Sequence, residues 1–165
     1  MPSYYNQVNS LGPKIWYRFN ETSGTPANSG SLSTTTTFVD YTLNQTTIID
    51  GKSVSLNGTS SYAQLPAHSA NALFDDKSFT VEAWVKIATA DTNRSAPLEI
   101  FRLNPASSPH TTISLVVDGT AGTRGKAKLS SHWTTDILST NRIDDGLWHH
   151  VVYTYNTSSV KLYID

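Results

Sequence analysis

Cysteine is absent from the 165 residues of the chain. Disulfide bonds, zinc sites built on thiolates and cysteine nucleophiles are therefore excluded. Charged residues are also few, at 15% of the composition, and the net charge is -1 with an isoelectric point near 6.5. Such a chain has no long-range field that would steer it to nucleic acid or to an anionic membrane surface.

Two kinds of targeting segment are missing from the sequence as well. No apolar run approaches the length that a membrane-spanning helix needs. The first residues, Met-Pro-Ser-Tyr-Tyr-Asn-Gln, contain neither the basic region nor the apolar region of a secretory signal. If Met1 is the native start, the sequence predicts a product made in the cytoplasm, with no membrane partner.

The clearest periodic pattern lies in residues 78–87. Apolar side chains occupy one set of alternate positions, namely Phe79, Val81, Ala83, Val85 and Ile87. Thr80, Glu82 and Lys86 take the positions between them, together with Trp84. A period of two indicates a strand with one buried face. Because the stretch holds neither glycine nor proline, we interpret it as a central strand.

Similar short runs, separated by polar turns, occur along most of the chain. The other predicted strands are 14–19, 53–56, 62–65, 98–103, 112–117, 126–130, 148–155 and 160–165, with 46–49 as a further, minor strand. Only residues 70–74 favour a helix, and residues 1–13 are interpreted as an irregular lead-in to one domain at 14–165. Many short strands predict an all-β fold, an antiparallel two-sheet jelly-roll sandwich.

Three groups of segments, taken in order, resemble a known family. They are WYRFNETSG at 16–24, then VSLNG at 54–58 with Tyr62 and FTVEAWV at 79–85, and finally DGLWHHVV at 145–152 with LYID at 162–165. Together they resemble the laminin-G-like branch of the concanavalin A-like lectin/glucanase superfamily. The resemblance covers about residues 13–165 and implies a jelly roll of two packed antiparallel sheets.

The resemblance also implies a difference at the end of the chain. In the family, the last matching segment is usually followed by a glycine and several more strands, whereas this sequence stops at Asp165. A sandwich that lacks its final strands would leave sheet edges and an apolar face open. We therefore expect an incomplete sandwich, completed by further chain or by another subunit.

Catalysis is not expected from the distribution of carboxylates. Glucanases of the superfamily use two carboxylates on one strand, and a shared face requires positions two or four residues apart. Glu82 and Glu99 are solitary on their predicted strands, and the acidic pairs at 75–76 and 144–145 are adjacent and typical of turns. The sequence therefore predicts a protein that is not an enzyme.

His149 and His150 form the most conspicuous pair of potential metal ligands. Neighbouring residues of a strand point to opposite faces, so that one ion could not readily bind both imidazoles. We therefore predict packed, hydrogen-bonded roles for these two histidines.

Calcium is the ion that the resemblance implies, because related domains often hold one with loop carboxylates and backbone carbonyls. Glu21, in the turn after the first predicted strand, is one candidate ligand, and Asp50 and Asp165 are the others. The alternative is that Glu21 and its neighbours only satisfy the hydrogen bonds of a turn.

Aromatic residues outside the strands could form a stacking platform for a sugar. Trp133 is the strongest candidate because it lies in loop-like sequence beside His132, and Arg102 and Asn104 are weaker ligand-binding candidates.

Tyr62 and Trp16 could also contribute to such a platform. However, Trp16, Trp84 and Trp148 all lie on predicted strands, which favours packing over ligand binding for these three.

The resemblance and the composition together suggest a recognition or assembly domain. Laminin-G-like jelly rolls usually act outside cells, yet no export signal is visible here. A phage virion protein would fit both observations, so we hypothesise a capsid or tail module that binds a neighbouring subunit or a host surface glycan within a larger assembly. The alternatives are a carbohydrate-binding module of a secreted bacterial enzyme or adhesin, acting extracellularly, and a glucanase-type hydrolase.

Overall fold

The structure is a computed structural model of the whole chain. It describes residues 3–47, 51–66, 78–88, 95–103, 113–131, 134–156 and 159–165. The described elements are eleven strands and one short helix, and the chain divides into two compact units, Met1–Ser69 and Ala70–Asp165. The described part of the chain has no helix with the length and apolar character that a membrane span requires.

The first unit combines the helix with two small antiparallel sheets. Its elements are α1 (Tyr4–Ser10), β1 (Thr37–Val39), β2 (Tyr41–Gln45), β3 (Ser53–Leu56) and β4 (Tyr62–Gln64). β2 pairs with β3, and β1 pairs with β4, so one pair is enclosed within the other along the sequence. β3 and β4 follow one another in the sequence but do not pair with each other: each pairs with a strand that precedes both.

The interpretation of residues 1–13 as irregular is wrong, because α1 lies there. The helix begins after Ser3, whose hydroxyl accepts a hydrogen bond from the Asn6 N–H over 3.3 Å. A serine at this position satisfies a backbone donor that the first turn leaves without a partner. Val8 is the buried residue of the helix. The predicted boundary between a lead-in and a domain at 14–165 is not tested by this finding and stays a prediction.

No strand forms at residues 14–19, although their apolar residues alternate. Tyr17 makes only an isolated bridge with Asn28, and Phe19 has a φ of 56°. A left-handed backbone at Phe19 interrupts the extended conformation that a strand needs. The Trp16 N–H donates to the side chain of Asn28 over 2.8 Å rather than to a neighbouring strand.

Two strands, β1 and β2, form where the local sequence pattern is weak. Phe38 of β1 packs edge-on against Tyr17 and Tyr41, with ring centroids 5.1 and 5.6 Å apart. These aromatic contacts supply the burial that holds the short strands. Thr46 and Thr47 of the predicted minor strand are outside β2, and residues 48–50 and the predicted helix at 70–74 lie outside the described residues.

The second unit is a sandwich of two antiparallel sheets. Its strands are β5 (Phe79–Lys86), β6 (Leu98–Leu103), β7 (Ile113–Val117), β8 (Lys126–Ser131), β9 (Thr134–Arg142), β10 (Trp148–Asn156) and β11 (Ser159–Ile164). One sheet has the order β6-β7-β8-β9 and the other has the order β11-β10-β5. The prediction of an all-β, jelly-roll-type sandwich is confirmed.

The core of this unit lies between the two sheets. Its buried residues are Ile113, Leu115, Val117, Ala127, Leu129, Ile143, Val151 and Tyr153. Phe79, Val81 and Val85, from the alternating face of β5, pack against this cluster as predicted. β5 itself is not central: among the described strands it pairs with β10 alone and lies at the edge of its sheet.

Candidate functional site

A groove runs between β9 and β11 in the second unit. Each of these strands is the outermost described strand of its own sheet, and a cavity of about 550 Å³ lies between them. Leu138, Leu162 and Ile164 give the groove an apolar part. Polar side chains from β9 and from the two ends of the β10–β11 hairpin supply the rest, and they include Arg142 and Asp165.

One end of the groove is built around His149. Its Nδ1 lies 2.7 Å from Asp165 Oδ2, and its Nε2 lies 3.0 Å from Asp145 Oδ1. The two carboxylates come from different places, one from the turn before β10 and the other from the residue after β11. The other oxygen of Asp165 accepts the His150 N–H at 2.9 Å, and Asp145 Oδ1 also accepts the Leu147 N–H at 2.9 Å.

Protonated His149 can donate to both carboxylates at once. Burial lowers the pKa of His149, but the hydrogen bonds to Asp165 and Asp145 outweigh burial and raise the pKa above the usual 6.5. For Asp145, the Leu147 N–H and then His149 lower the carboxyl pKa. For Asp165, burial raises the pKa, but the bonds from His149 and from the His150 N–H outweigh it and lower the pKa.

On the β9 side of the groove, Arg142 forms an ion pair with Asp144. Arg142 donates from Nε and from Nη2 to the two oxygens of Asp144, over 2.9 and 2.8 Å. The Asp144 side chain is fully buried, whereas 42% of the Arg142 side chain is exposed. Gly125 lies against this carboxylate, and a Cβ at residue 125 would overlap it. The bidentate pair therefore fixes the guanidinium at the edge of the groove.

His150 faces away from this groove. Its ring stacks on Trp84 with centroids 4.9 Å apart, and its Nε2 lies 3.6 Å from Glu82 Oε2. The prediction that the two adjacent histidines point to opposite faces is confirmed. Each is packed among its own neighbours, as a period of two requires.

The groove is not where the sequence placed a ligand. Arg102 lies on β6, at the opposite edge of the four-stranded sheet from β9, and forms an ion pair with Glu99. Trp133, His132 and Asn104 lie outside the described residues. The structure therefore does not bring Arg102 to the groove, and ligand binding by the other three stays a prediction.

Within the described residues, the calcium candidates have few carboxylate oxygens that are not already used in hydrogen bonds. Glu21 accepts the Ala27 N–H on Oε1 over 2.9 Å, and its buried Oε2 has no hydrogen-bond partner in the part of the chain described. Asp165 uses both oxygens for the bonds given above, and Asp50 lies outside the described residues.

Calcium ordinarily takes six to eight oxygen ligands. Among the residues that the structure describes, no three histidine or acidic side chains are grouped so as to hold a metal. One orphaned carboxylate oxygen of Glu21 does not make such a site, so calcium stays a prediction. A melting temperature that rises with calcium relative to EGTA would support it.

The cluster of Asp145, His149 and Asp165 is not predicted from the sequence. The sequence patterns predict a turn at Asp145, packing for His149 and calcium binding by Asp165. A signal was present in the four-residue spacing from Asp145 to His149 across the start of a strand. The approach of Asp165 depends on the pairing of β10 with β11, which brings residue 165 beside residue 150.

The two-sheet sandwich and its open groove define a β-sandwich of the lectin-like class. The chain matches the Laminin_G_3 model, described as the concanavalin A-like lectin/glucanases superfamily, over residues 57–165. This match spans about two thirds of the sequence, and the chain belongs to that superfamily. No curated protein and no solved structure matches the chain. Membership supports a domain that binds carbohydrate or protein.

Proposed function

We propose that the chain is a non-catalytic recognition module that binds the hydroxyl-rich end of a surface glycan in the groove between β9 and β11. The observation that carries the proposal is the chemistry of the groove. Oriented carboxylates at Asp145 and Asp165 lie in the same cavity as the apolar side chains of Leu138, Leu162 and Ile164. Sugars offer both kinds of surface, hydroxyl donors and apolar ring faces.

The two carboxylates are held in place and still accessible. The Asp145 and Asp165 side chains are 42% and 53% exposed, and each accepts two hydrogen bonds that fix its orientation. Acceptors that are already oriented lose little entropy when a ligand hydroxyl binds. The cavity volume of about 550 Å³ also falls in the range of small-molecule sites, about 300–1,000 Å³.

The same carboxylates are poorly suited to hydrolysis. A glycosidase needs one carboxyl group with a raised pKa to act as the general acid. The pKa values of Asp145 and Asp165 are both lowered, so that both groups are ionised near neutral pH. We expect no hydrolysis of laminarin or related glucans, and release of reducing sugar above the level of a protein-free control would contradict a purely binding role.

A glycan array followed by calorimetry on the bound glycans tests the proposal. Asp165→Ala is expected to weaken binding of an array hit at least tenfold. Asp136→Ala is the matched control, because it removes the same charge from β9 at a residue that does not line the groove. Equal affinity of the wild type and Asp165→Ala, with both folded by circular dichroism, would exclude the groove as the glycan site.

A protein partner is the second candidate function. β9 and β11 both present an outer edge within the described sheets, and such edges can accept an additional strand from another chain. A neighbouring subunit bound in this way would contact backbone rather than the Asp165 carboxylate. Binding of a defined partner subunit that is unchanged in Asp165→Ala, without any glycan hit, would favour this function.

The location of the module on a phage virion stays a prediction from the sequence. Superfamily membership is equally compatible with a module of a secreted bacterial enzyme or adhesin. Detection of the chain in purified particles by mass spectrometry would support the virion. Its recovery only from the medium of uninfected bacteria would support the extracellular alternative.

A further inference from the structure

Tyr5, Trp16 and Arg18 form a compact group in the first unit, here called the Arg18 cluster. The rings of Tyr5 and Trp16 are stacked, with centroids 5.2 Å apart and planes inclined by 28°. The guanidinium carbon of Arg18 lies 4.2 Å from the centroid of Tyr5 and 5.6 Å from that of Trp16. The guanidinium therefore contacts both rings, within the range of a cation–π interaction.

Local hydrogen bonds hold the cluster in place. Tyr5 lies in the first turn of α1, which the hydroxyl of Ser3 caps. The Trp16 N–H donates to Asn28 Oδ1 over 2.8 Å, and the Trp16 carbonyl accepts the Ser29 N–H at 2.8 Å. Hydrogen bonds that do not involve the rings therefore hold the backbone at both Tyr5 and Trp16.

Stacking explains where the Arg18 guanidinium lies, but it uses none of its N–H groups. Within the described residues, the side chain of Arg18 makes no hydrogen bond and no ion pair. This sets it apart from Arg142, which donates twice to Asp144, and from Arg102, which pairs with Glu99. A guanidinium presents a planar fork of five donors that matches a carboxylate in two parallel hydrogen bonds.

We infer that the Arg18 cluster is a binding site for a saccharide that carries a carboxylate. The fork of Arg18 pairs with the carboxylate, and the exposed part of the aromatic pair contacts the apolar face of the sugar ring. Tyr5 is 38% exposed and both Trp16 and Arg18 are partly exposed, so the ligand can reach all three. The contacts with the two rings restrict the guanidinium before the ligand arrives, which reduces the entropy that binding removes.

This site goes beyond the proposed function because it lies in the first unit and shares no residue with the groove between β9 and β11. The simpler interpretation is that Arg18 only stabilises the fold by stacking. The two differ in one respect that can be measured: a purely structural Arg18 has no preference among dissolved sugars.

Calorimetric titration with galacturonate and with galactose separates the two interpretations, because the sugars differ at one carbon that carries the carboxylate. We expect galacturonate to bind at least tenfold more tightly than galactose, and Arg18→Gln to remove that preference. Arg18→Lys keeps the charge without the planar fork, and we expect it to lose most of the preference too. Lys161→Gln, at an exposed residue of β11, removes one charge elsewhere and should leave it unchanged.

Three results would overturn the inference. The first is equal binding, or no binding, of galacturonate and galactose to the wild type. The second is a preference for galacturonate that survives in folded Arg18→Lys or Arg18→Gln, which would place the carboxylate elsewhere. The third is acetate binding as tightly as galacturonate, which would leave an anion site without a contribution from the sugar ring.

Discussion

His149 Nδ1 lies 2.7 Å from Asp165 Oδ2, and this contact joins the start of β10 to the residue that follows β11. The other nitrogen of the same imidazole lies 3.0 Å from Asp145 in the preceding turn. A neutral imidazole carries one N–H and can donate to only one of these carboxylates, whereas the protonated ring donates to both. The two contacts therefore depend together on the charge of His149.

This dependence predicts a pH window for stability. The pKa of His149 is raised, so its contribution is complete below pH 6.5 and is lost as the pH rises through the higher folded value. The pKa values of Asp145 and Asp165 are lowered, so their contribution is complete above pH 3.8 and is lost as the pH falls through the lower folded values. The cluster should stabilise the fold most between these limits.

The variant His149→Gln tests the window by urea unfolding at pH 5 and pH 9. At pH 5 we expect it to lower the free energy of unfolding by about 1.5 kcal/mol, the scale of a partly exposed hydrogen bond to a charged group. At pH 9 the loss should be clearly smaller, because the wild-type imidazole has by then lost its second donor. An equal loss at both pH values would show that His149 contributes only by packing.

Gly125 should tolerate alanine less well than Gly122. Both glycines have positive φ, 84° and 90°, which costs an alanine about 1 kcal/mol. A Cβ at residue 125 would also overlap the Asp144 carboxylate, whereas one at residue 122 meets nothing within 4 Å. Thermal unfolding should show Gly125→Ala to be less stable than Gly122→Ala by about 2 kcal/mol or more, the scale of an overpacked site. Equal melting temperatures would contradict this.

The protein should be at least as stable when the hydroxyl of Tyr153 is removed. The residue is fully buried, and its hydroxyl has no hydrogen-bond partner among the described residues. Tyr153→Phe removes this desolvated group and should raise the free energy of unfolding by up to about 1–2 kcal/mol. Burial also raises the pKa of Tyr153 to about 12, so the variant should leave the absorbance titration between pH 9 and 11 unchanged. A destabilised Tyr153→Phe would reveal a partner for the hydroxyl.

Two leucines of the second unit should respond very differently to truncation. Leu129 is fully buried between the sheets, whereas Leu147 is 63% exposed in the turn before β10. Leu129→Ala is expected to cost about 2–5 kcal/mol, because it removes apolar burial and leaves a cavity. Leu147→Ala should change the free energy of unfolding by less than about 0.5 kcal/mol. Chemical denaturation of both variants measures the contrast, and similar losses would mean that the buried face is misassigned.

The period-two pattern was sufficient to predict most strands of the second unit and failed at β9. In that segment the two large apolar residues, Ile137 and Leu138, are adjacent, so no alternation is visible. β9 is a strand because it pairs with β8, and Asp136 reaches Lys128 across the pair over 2.8 Å. Such pairing depends on residues distant in sequence, which local patterns do not contain.

The opposite error occurred in the first unit, where a good pattern did not form a strand. Trp16 and Phe19 belong to an alternating run, but neither lies on a strand. Trp16 packs against Tyr5, and Phe19 packs against Phe38. The Trp16 N–H donates to the side-chain oxygen of Asn28 instead of to the backbone of a neighbouring strand. Aromatic residues are common both in strands and in irregular segments that pack through their rings. Contacts with the rest of the fold determine which of the two forms.

The pairing of β5 with β10 has a consequence for how the chain folds. β6, β7 and β8 each pair with the next strand in sequence. By contrast, Phe79 of β5 pairs with Tyr155 of β10, and all four strands of that sheet lie between these two residues in the sequence. Bringing together two such distant segments costs more loop-closure entropy than forming hairpins. We therefore expect the closure of this long chain segment, rather than the growth of any hairpin, to set the refolding rate.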